Sequence, residues 1–352
     1  MRIAADHLAT VSVALLKAMG VDEGEAKTVA DNLVMAEKRG ISTHGVNFLP
    51  LLADRIERGQ VIVPTTVTVV SDADAVTHLD GGNGLGQTAA TKGMRSSIDK
   101  ARRFGIGLSL IRNTNHIGLL AYYTLMAANE GLVGFCTCNS AASMAPWGGA
   151  EPFFGTNPFS IASPGGDGTP VVLDMSTSIV ARGKIRRALR LKERIPLGWA
   201  LDAGGSPTDD PQAAMEGTLL PIGGPKGYGM GMFIDLISGL LSGSKYSRDV
   251  KTFHKPEGPT GVGVTSLAID ITRFMPLDTF CSLLGQHGRA IRGSAKGREA
   301  GRIYLPGEIE AERERLSEKR GVEVDATVCQ SLDALLSKAG LSMRLKDGEV
   351  PA

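Results

Sequence analysis

Two histidines stand in glycine-bearing turns, a setting that suits proton transfer. His44 lies in the run Thr43-His44-Gly45, and His116 lies in Asn115-His116-Ile117-Gly118. An imidazole titrates near neutral pH, so small changes in its surroundings decide whether it donates or accepts a proton. Interconversion of a carbonyl and an alcohol needs such a group. The alternative is that each imidazole makes only local hydrogen bonds within its own turn.

A helix is predicted immediately before the first histidine, from Asp22 to Arg39. Asp22 and Glu25 have the spacing of an N-terminal cap pair, and apolar residues recur along one face of the segment. Gly40 then supplies a stop signal. The His44 turn should therefore follow directly on a rigid helix.

A buried strand is predicted before the second histidine, over the apolar run from Ile106 to Ile111. His116 would then lie in the loop at the carboxyl end of that strand, which is where ligands bind in open α/β sheets. The remaining histidines have no comparable setting; they are His7, His78, His254 and His287.

The composition describes an ordinary globular protein. The chain has 352 residues, of which 42% are hydrophobic and 21% are charged, and its formal net charge is +1. This length predicts a large core divided into two or three lobes, and the balanced charge argues against nucleic-acid or membrane partners. No apolar run reaches the roughly 18 residues of a membrane helix, and no targeting signal is recognisable, so we expect a cytoplasmic location.

Four cysteines spread along the chain do not form a disulfide framework. Cys136 and Cys138 alternate within the strand-like run from Leu132 to Cys138, so they would face the same side of that strand. No further ligands with suitable spacing accompany them. We therefore expect buried thiols and no metal site.

The order of elements favours an α/β fold. Between a helical N-terminal part and a charged helix near 308–319, strands and helices alternate, and we expect the two terminal parts to pack together. The predicted segments are a β-rich stretch at 61–70, a glycine loop at 80–86, helices at 88–104, 119–130 and 229–241, strands at 106–111 and 261–269 and one ending at residue 138, and a disordered tail at 347–352.

Three glycine-rich segments are candidate ligand loops; they are 80–87, 145–149 with 155–158, and 223–229. In the third, Lys226 is the only charge in a glycine frame that opens a helix, which suits a phosphate or a carboxylate. The segment lacks the Lys-Ser/Thr pair of a Walker loop, and 80–87 does not follow a strand in the Rossmann frame. Each loop taken alone could instead be a structural turn.

The segment from Val171 to Ser178 predicts a buried strand that ends in a loop rich in hydroxyl groups, followed by Ala181-Arg-Gly-Lys184. Hydroxyls and free backbone amides at a strand end can hold a pyrophosphate. The alternative is that they cap the next helix.

Eight segments, taken in order, resemble the malate/L-lactate dehydrogenase family of the second type, and the resemblance extends from about residue 5 to residue 325. They are Thr43-His-Gly-Val, Asn115-His-Ile-Gly, Ala145-Pro-Trp-Gly-Gly, Gly155-Thr-Asn-Pro, Leu173-Asp-Met-Ser-Thr-Ser, Gly198-Trp-Ala-Leu-Asp, Pro207-Thr and Lys226-Gly-Tyr-Gly. That family includes ureidoglycolate dehydrogenase, diketogulonate reductase, sulfolactate dehydrogenase and piperideine-2-carboxylate reductase.

This resemblance implies NAD(P)-dependent interconversion of a 2-oxo acid and a 2-hydroxy acid in a homodimer. It also implies an α/β fold with a non-Rossmann NAD(P)-binding domain on a mixed sheet, and a helical lobe built from both chain ends. The corresponding division places the lobe at 1–75 with 306–345, a connecting α/β segment at 76–122, the NAD(P)-binding domain at 123–305 and a disordered tail at 346–352.

The family motifs also imply roles for particular residues. His44 would give the proton to the substrate carbonyl and His116 would orient the substrate or the nicotinamide, although either could be the main acid. Thr156 would lie in the pocket. The implied contacts to the cofactor are Asp174, Met175, Ser176, Thr177, Ser178, Pro225, Lys226, Gly307 and Glu308.

The chain departs from the family pattern at Phe48, where the motif usually has an arginine that would grip the substrate carboxylate. Our hypothesis is that Phe48 marks a pocket for a bulkier or more apolar acid. Lys226, Arg182 or another basic group would then hold the carboxylate.

Three points stay open at the level of sequence. The substrate could be a cyclic 2-imino acid instead of a 2-oxo acid, and the chain could be a non-catalytic relative. The cofactor could be NAD or NADP, since a run of basic residues after the proposed phosphate loop could meet a ribose 2′-phosphate or could simply be a solvated face. That run is Arg182, Lys184, Arg186 and Arg187.

Overall fold

The computed structural model describes residues 1–351 and contains α-helices, a large sheet and two small ones. The strands, in chain order, are β1 (Arg2–Ile3), β2 (Thr68–Ala73), β3 (Val76–Asp80), β4 (Ile106–Thr114), β5 (Leu132–Cys138), β6 (Phe159–Ser163), β7 (Val171–Met175), β8 (Ala200–Leu201), β9 (Pro207–Thr208), β10 (Thr218–Leu219), β11 (Val262–Asp270) and β12 (Val322–Glu323).

The large sheet has seven strands in the order β2-β3-β4-β11-β5-β6-β7. Only β3 and β4 run parallel, and every other neighbouring pair is antiparallel. The sheet is therefore mixed, which confirms the expected α/β class. Its central strand, β11, pairs with both β4 and β5, so two strands predicted from apolar runs lie at the middle of the core.

The helices, in chain order, are α1 (Ala5–Ala18), α2 (Glu23–Lys38), α3 (Leu49–Glu57), α4 (Gly86–Phe104), α5 (Ala121–Asn129), α6 (Arg182–Leu191), α7 (Pro211–Glu216), α8 (Pro225–Ile234), α9 (Leu277–Arg292), α10 (Glu308–Arg320) and α11 (Ala326–Lys338). A π-helical turn, Asp235–Leu241, continues α8. The predicted helix at 229–241 therefore begins earlier, because Pro225 occupies its first turn, where a missing N–H costs nothing.

Helix α2 matches its sequence prediction within one residue at each end. Asp22 caps it by accepting from the backbone amides of Gly24 and Glu25. In a capping box the carboxylate of Glu25 would accept from the backbone amide of Asp22. Here it accepts instead from the amide of Thr65, which lies 3.1 Å from each carboxylate oxygen. The cap thus also fixes the segment that leads to the sheet.

Both ends of the chain contribute to one apolar core. Leu8, Leu16 and Leu33 from α1 and α2 pack in the same cluster as Leu332 and Leu336 from α11. Helices α1 and α3 therefore bury their apolar faces within this cluster, whereas α2 also packs Ala36 against Ala162 of β6 and Val172 of β7.

The tail predicted to be disordered is ordered up to residue 351. Residues Leu345–Gly348 form a 3-10 turn, the amide of Ala4 donates to the carbonyl of Gly348 at 2.8 Å, and that of Val350 donates to Arg2 at 3.0 Å. The polar composition misled the prediction because these contacts are made by the backbone. Ala352 lies outside the described residues.

The stretch predicted to be β-rich at 61–70 is a strand only from Thr68 onward. Pro64 interrupts it, since proline has no N–H to give to a ladder. The prediction for the glycine loop at 80–87 also needs correction, because it does connect a strand, β3, directly to a helix, α4. Its glycines still do not have the spacing of the Rossmann motif.

None of the helices in residues 1–351 combines the length and the apolar character needed to cross a bilayer.

Candidate active site

The His44 turn is held from beneath by a buried carboxyl group. His44 ends a 3-10 turn, Ser42–His44, and the carboxylate of Glu37 in α2 accepts from the amide of Val46 at 3.0 Å. Any side chain at Gly45 would overlap that carboxylate, so the turn needs glycine here. Burial raises the pKa of Glu37 to about 7, although the hydrogen bond from Val46 opposes this.

The His116 turn is fixed by bonds to its backbone and to its ring. The amide of Gly118 donates to Nδ1 of His116 at 3.1 Å. The side chain of Asn115 donates to the carbonyls of Asn83 and Gly84, at 3.1 and 2.9 Å. Because Nδ1 accepts, a neutral His116 carries its proton on Nε2, where it can donate.

The fold brings the two histidines together. The ring centroids of His44 and His116 are 5.6 Å apart, with an interplanar angle of 27°. Burial lowers the pKa of His44 to about 4. Burial, followed by the neighbouring charges of His44 and His254, lowers the pKa of His116 well below its ordinary value. Burial thus favours the neutral form of both imidazoles at pH 7.

Phe48 covers the other face of His116. The two rings stack with centroids 4.1 Å apart and an interplanar angle of 15°. Phe48 is buried, and the cavity behind it, against Leu33 and Leu52, holds only about 10 Å³. That volume admits no more than one water molecule. The space behind Phe48 is thus closed.

Two residues of the site were missed at the level of sequence. The rings of Phe253 and His254 lie 5.6 and 6.1 Å from that of Phe48. The expectation that His254 lacks a setting comparable to those of His44 and His116 needs correction, because its ring lies beside that of Phe48. Burial, followed by the charge of Arg186, lowers the pKa of His254.

Arg55 of α3 fixes the loop that carries these two residues. Its buried guanidinium donates to the carbonyls of Phe253, Lys255 and Gly258, at 3.3, 3.0 and 2.7 Å. It also lies over the ring of Phe253, 4.7 Å from the centroid. Phe48 immediately precedes α3, and Arg55 lies in this helix seven residues later, on the same side.

Asp174, at the carboxyl side of β7, is directed toward the start of α5. Its carboxylate accepts from the amide of Ala121 at 2.7 Å. Burial raises the pKa of Asp174 to about 6, against the effects of this hydrogen bond and of the charge of Arg39. Since Ala121 follows the His116 turn by five residues, Asp174 lies on the same side of the molecule as that turn.

The hydroxyl-rich loop after β7 contacts the predicted pocket residue. The amide and the hydroxyl of Thr177 both donate to the carbonyl of Thr156, each at 2.9 Å. The hydroxyl of Ser178 lies 3.1 Å from that of Ser176 and donates to the carbonyl of Val180. Met175 ends β7 and begins this loop.

The Lys226 segment packs against the same loop. The amide of Ile222 donates to the carbonyl of Thr177 at 2.9 Å, and α8 begins three residues later at Pro225. Lys226 is exposed in the first turn of α8. Within residues 1–351 its ammonium forms no ion pair.

Gly307 and Glu308 lie at the start of α10, beside β7. Gly307 has a positive φ of 82°, and a side chain there would crowd Val172 at 2.8 Å. The carboxylate of Glu308 accepts from the amide of Leu305 at 2.9 Å and pairs with Arg292. A cleft of about 220 Å³ opens between α9 and this segment, and Glu308 forms part of its wall.

Helix α6 connects the hydroxyl-rich loop after β7 with the turn that carries His44. It begins at Arg182, directly after the hydroxyl-rich loop, and a side chain at Gly183 would lie 2.9 Å from Thr43, next to His44. The guanidinium of Arg182 donates to the carbonyl of Gly217 at 2.8 Å. The loop after β7 therefore leads to the histidine pair.

The cysteines are free, and Cys136 and Cys138 are buried. Burial raises the pKa of Cys138 to about 12, so its thiol stays protonated. Within residues 1–351 no three His, Cys, Asp or Glu side chains form a group able to hold a metal ion.

Comparison with known proteins supports a single family. A family model described as malate/L-lactate dehydrogenase matches residues 3–333. A (2R)-3-sulfolactate dehydrogenase (NADP(+)) from Chromohalobacter salexigens is 37% identical over 266 residues, covering 75% of this chain and 80% of that protein. A ureidoglycolate dehydrogenase (NAD(+)) from Escherichia coli O157:H7 is 33% identical over 321 residues, covering 90% and 91%.

Solved structures agree with this assignment. The structure of malate dehydrogenase from Pyrococcus horikoshii superposes with a TM-score of 0.90 at 35% identity, covering 97% of this chain and 96% of that one. The family match spans nearly the whole chain and includes both histidine turns and the loop after β7. The chain therefore belongs to the malate/L-lactate dehydrogenase family of NAD(P)-dependent oxidoreductases.

Proposed function

We propose that this protein interconverts a 2-oxo acid and a 2-hydroxy acid with NAD or NADP, and that His44 exchanges the proton. The observation that carries the proposal is the pairing of His44 with His116, 5.6 Å apart, beside the start of α6. Bound nicotinamide supplies or accepts the hydride at C2 of the substrate. The chain's own residues hold the substrate and handle the proton.

His44 suits the proton-transfer role better than its partner. A neutral imidazole accepts a proton from a hydroxy acid, and the protonated form returns one to the oxygen of a 2-oxo acid. Since burial lowers its pKa to about 4, His44 in the ligand-free protein is neutral at pH 7 and has a nitrogen free to accept a proton. An anionic substrate nearby raises that pKa and favours the acid form.

His116 orients the substrate. Since its Nδ1 accepts from Gly118, the Nε2–H of the neutral ring offers a hydrogen bond to the substrate oxygen. Phe48 stacks on this ring, and the cavity behind it has room for no more than one water molecule, so the donor is held in place. In this proposal Phe48 forms a wall of the substrate site.

The residues present fit a dinucleotide along the loop after β7. Asp174, Met175, Thr156 and the hydroxyls of Ser176, Thr177 and Ser178 would line it, and the ammonium of Lys226, unpaired within residues 1–351, suits a phosphate. Gly307 packs closely against Val172 at the start of α10, and the backbone there, with Pro225 and Glu308, would complete the contacts.

We also propose the division of the chain implied by its resemblance. The helical lobe would comprise 1–75 with 306–345, joined through 76–122 to a non-Rossmann NAD(P)-binding domain at 123–305. An exposed apolar face on α8 and the turn after it suits a homodimer contact. Its large side chains are Met230, Phe233, Leu236, Leu240 and Leu241. The cytoplasmic location stays a prediction.

The test is oxidation of NADH and of NADPH, followed at the nicotinamide absorbance, against linear 2-oxo acids and cyclic 2-imino acids. We expect turnover of a 2-oxo acid, lowered roughly 10²- to 10⁴-fold in His44→Ala, and also lowered in His116→Ala. His287→Ala is a matched control, since that histidine lies on α9.

Turnover of cyclic 2-imino acids alone would contradict the proposed 2-oxo acid substrate and would identify the protein as an imino acid reductase. Coenzyme binding without turnover of any compound would favour a non-catalytic relative. Full activity in His44→Ala would contradict the role of His44, and a preference between NADH and NADPH would decide the cofactor.

A further inference from the structure

Helix α2 contacts both histidine turns. It precedes the turn of His44 in the chain, and it also contacts the end of the turn of His116. Two polar side chains of α2 make these contacts, Asn32 and Glu37, and only 0% and 7% of their surfaces are exposed. A buried polar side chain is costly unless its polar groups are hydrogen-bonded. The partners of Asn32 and Glu37 therefore indicate what each one holds.

The carboxamide of Asn32 bonds to both backbone groups of Leu119. Its Nδ2 donates to the carbonyl of Leu119 at 3.1 Å, and its Oδ1 accepts from the amide of Leu119 at 3.0 Å. A side chain at Gly118 would overlap the carboxamide oxygen of Asn32. Helix α2 thus holds the backbone on the carboxyl side of Gly118, through a residue 87 positions away from Leu119.

Tyr123 holds the backbone on the other side of Gly118. The buried hydroxyl of Tyr123 donates to the carbonyl of Ile117, and the carboxamide from α2 also donates to this hydroxyl, at 3.4 Å. Ile117 and Leu119 are the two neighbours of Gly118. The amide of Gly118 donates to Nδ1 of His116. Fixing both neighbours fixes the direction of this N–H, and with it the ring nitrogen that accepts.

Glu37 makes the corresponding contact at the other turn. Its carboxylate accepts from the amide of Val46 at 3.0 Å and fills the space where a side chain at Gly45 would lie. Gly45 has a φ of −94°, outside the left-handed region, so the carboxylate and not the backbone conformation requires glycine there. Each turn therefore places a glycine against a buried polar side chain of the same helix.

We propose that Asn32 and Glu37 are positioning residues, which fasten the turns of His116 and His44 to one helix so that α2 sets the separation of the two imidazoles. The two attachment points lie about 7.5 Å apart along the helix axis, since an α-helix rises about 1.5 Å per residue. The ring centroids are 5.6 Å apart. This inference rests on the proposed proton transfer, in which a displacement of about 1 Å can cost about a hundredfold in rate.

The kinetic test replaces each side chain by leucine, which has a similar volume but no hydrogen-bonding group. We expect Asn32→Leu and Glu37→Leu to lower kcat for the 2-oxo acid roughly tenfold to a hundredfold, with the affinity for the coenzyme little changed. Glu37→Gln keeps an oxygen for the amide of Val46, so it should retain much more activity than Glu37→Leu. Asp31→Asn is the control, since Asp31 is an exposed residue of the same helix.

A second test needs no substrate. The ring nitrogens of ¹⁵N-labelled histidine are followed by NMR in the ligand-free protein, and the signals of His116 are assigned by their absence in His116→Ala. Wild type should show Nδ1 without a proton and Nε2 with one. Asn32→Leu should give a mixture of the two tautomers. Tyr123→Phe removes a single hydroxyl and leaves the core filled, and it should shift the same signals in the same direction but less.

Unchanged ring signals of His116 in both Asn32→Leu and Tyr123→Phe would overturn the inference for Asn32. An equal loss of kcat in Glu37→Gln and Glu37→Leu would overturn it for Glu37, as would a lowered unfolding temperature with unchanged kcat in Glu37→Leu. Mixed tautomers in Asn32→Leu, with no turnover of any 2-oxo acid by wild type, would support the positioning of His116 and defeat the proposed function alone.

Discussion

The histidine region and the loop region after β7 are built in opposite ways. Around His44 and His116, large rings and buried side chains set the geometry, with Phe48 stacked at 4.1 Å and Arg55 fully enclosed. Around Thr156 and Thr177, the contacts are made mainly by backbone groups and small hydroxyls. Burial in the histidine region sets the ionisation of its side chains, whereas the loop region offers polar groups to a ligand.

This difference matches what each region is proposed to do. Burial shifts the pKa of Glu37, of His44 and of His116, because the rings and helices around them exclude water. A dinucleotide instead needs close approach of its phosphates to the backbone, which glycines permit. A substitution in one region should therefore change either the ionisation of the histidine region or the binding of the coenzyme, and leave the other unchanged. This separation can be tested.

The largest effect is expected for Gly227→Ala in the loop region. A side chain there would collide with the carbonyl of Ile222 and lie 2.8 Å from that of Thr177, and backbone cannot move aside easily. We expect a loss of roughly 2–3 kcal/mol in stability and a weaker coenzyme affinity. The measurements are the unfolding midpoint and a fluorescence titration with NADH and NADPH.

Gly229→Ala is the matched control, because nothing lies within 4 Å of the added methyl group and the residue is in the same helix. It should behave as wild type or become slightly more stable. Equal coenzyme affinity in the two variants would show that the contact between α8 and the Thr177 loop does not shape the coenzyme site.

Much of the scaffold followed from local sequence. The Asp22 cap and the apolar stripe located α2, and the run from Ile106 located β4, which extends to Thr114. Both histidines could be identified because each lies in a turn next to such an element. The glycine loop at 80–87 could be seen as a loop, but the short strand before it could not.

The surroundings of the histidines did not follow from local sequence. The bond from Arg55 to Phe253 joins residues 198 positions apart, and no periodic pattern connects them. Likewise, Glu37 looked like one more polar residue near a helix end, and only the fold shows that it lies buried beneath Gly45. Charge states in the site are thus tertiary properties.

Glu37→Gln is expected to change how stability depends on pH. Since the pKa of Glu37 is raised from 4.5 to about 7, its stabilising contribution is complete below about pH 4.5 and is lost as the pH rises through 7. Wild type should lose about 2–3 kcal/mol from this group between pH 5 and pH 8. Glutamine keeps an oxygen for the amide of Val46 but does not ionise.

The check is urea unfolding of both proteins at pH 5, 6, 7 and 8. The variant should match wild type within about 1 kcal/mol at pH 5 and exceed it at pH 8. Glu299→Gln, at an exposed position, serves as the control. Parallel stability curves for wild type and Glu37→Gln would mean that Glu37 is ionised throughout this range.

The smallest effect is expected for Arg55→Lys, which tests whether the histidine region depends on a distant anchor. Lysine keeps the charge, but its single ammonium cannot reach three carbonyls in the way that a planar guanidinium does. The 253–258 loop should loosen and His254 should leave its place beside Phe48. We expect the KM for the 2-oxo acid to rise several-fold to about tenfold, with kcat and the coenzyme KM little changed.

Arg58→Lys is the control for that variant, because Arg58 follows α3 and is exposed, paired with Asp54 at 2.8 Å. A purely structural role of Arg55 would lower the unfolding temperature and leave the KM of the folded enzyme unaltered. A rise in the coenzyme KM equal to that for the acid would show that the two regions are not separate. Only a rise in the KM for the 2-oxo acid, without a rise in the KM for the coenzyme, supports a loop that presents His254 to the substrate. That loop contacts the aromatic rings and not the Thr177 segment.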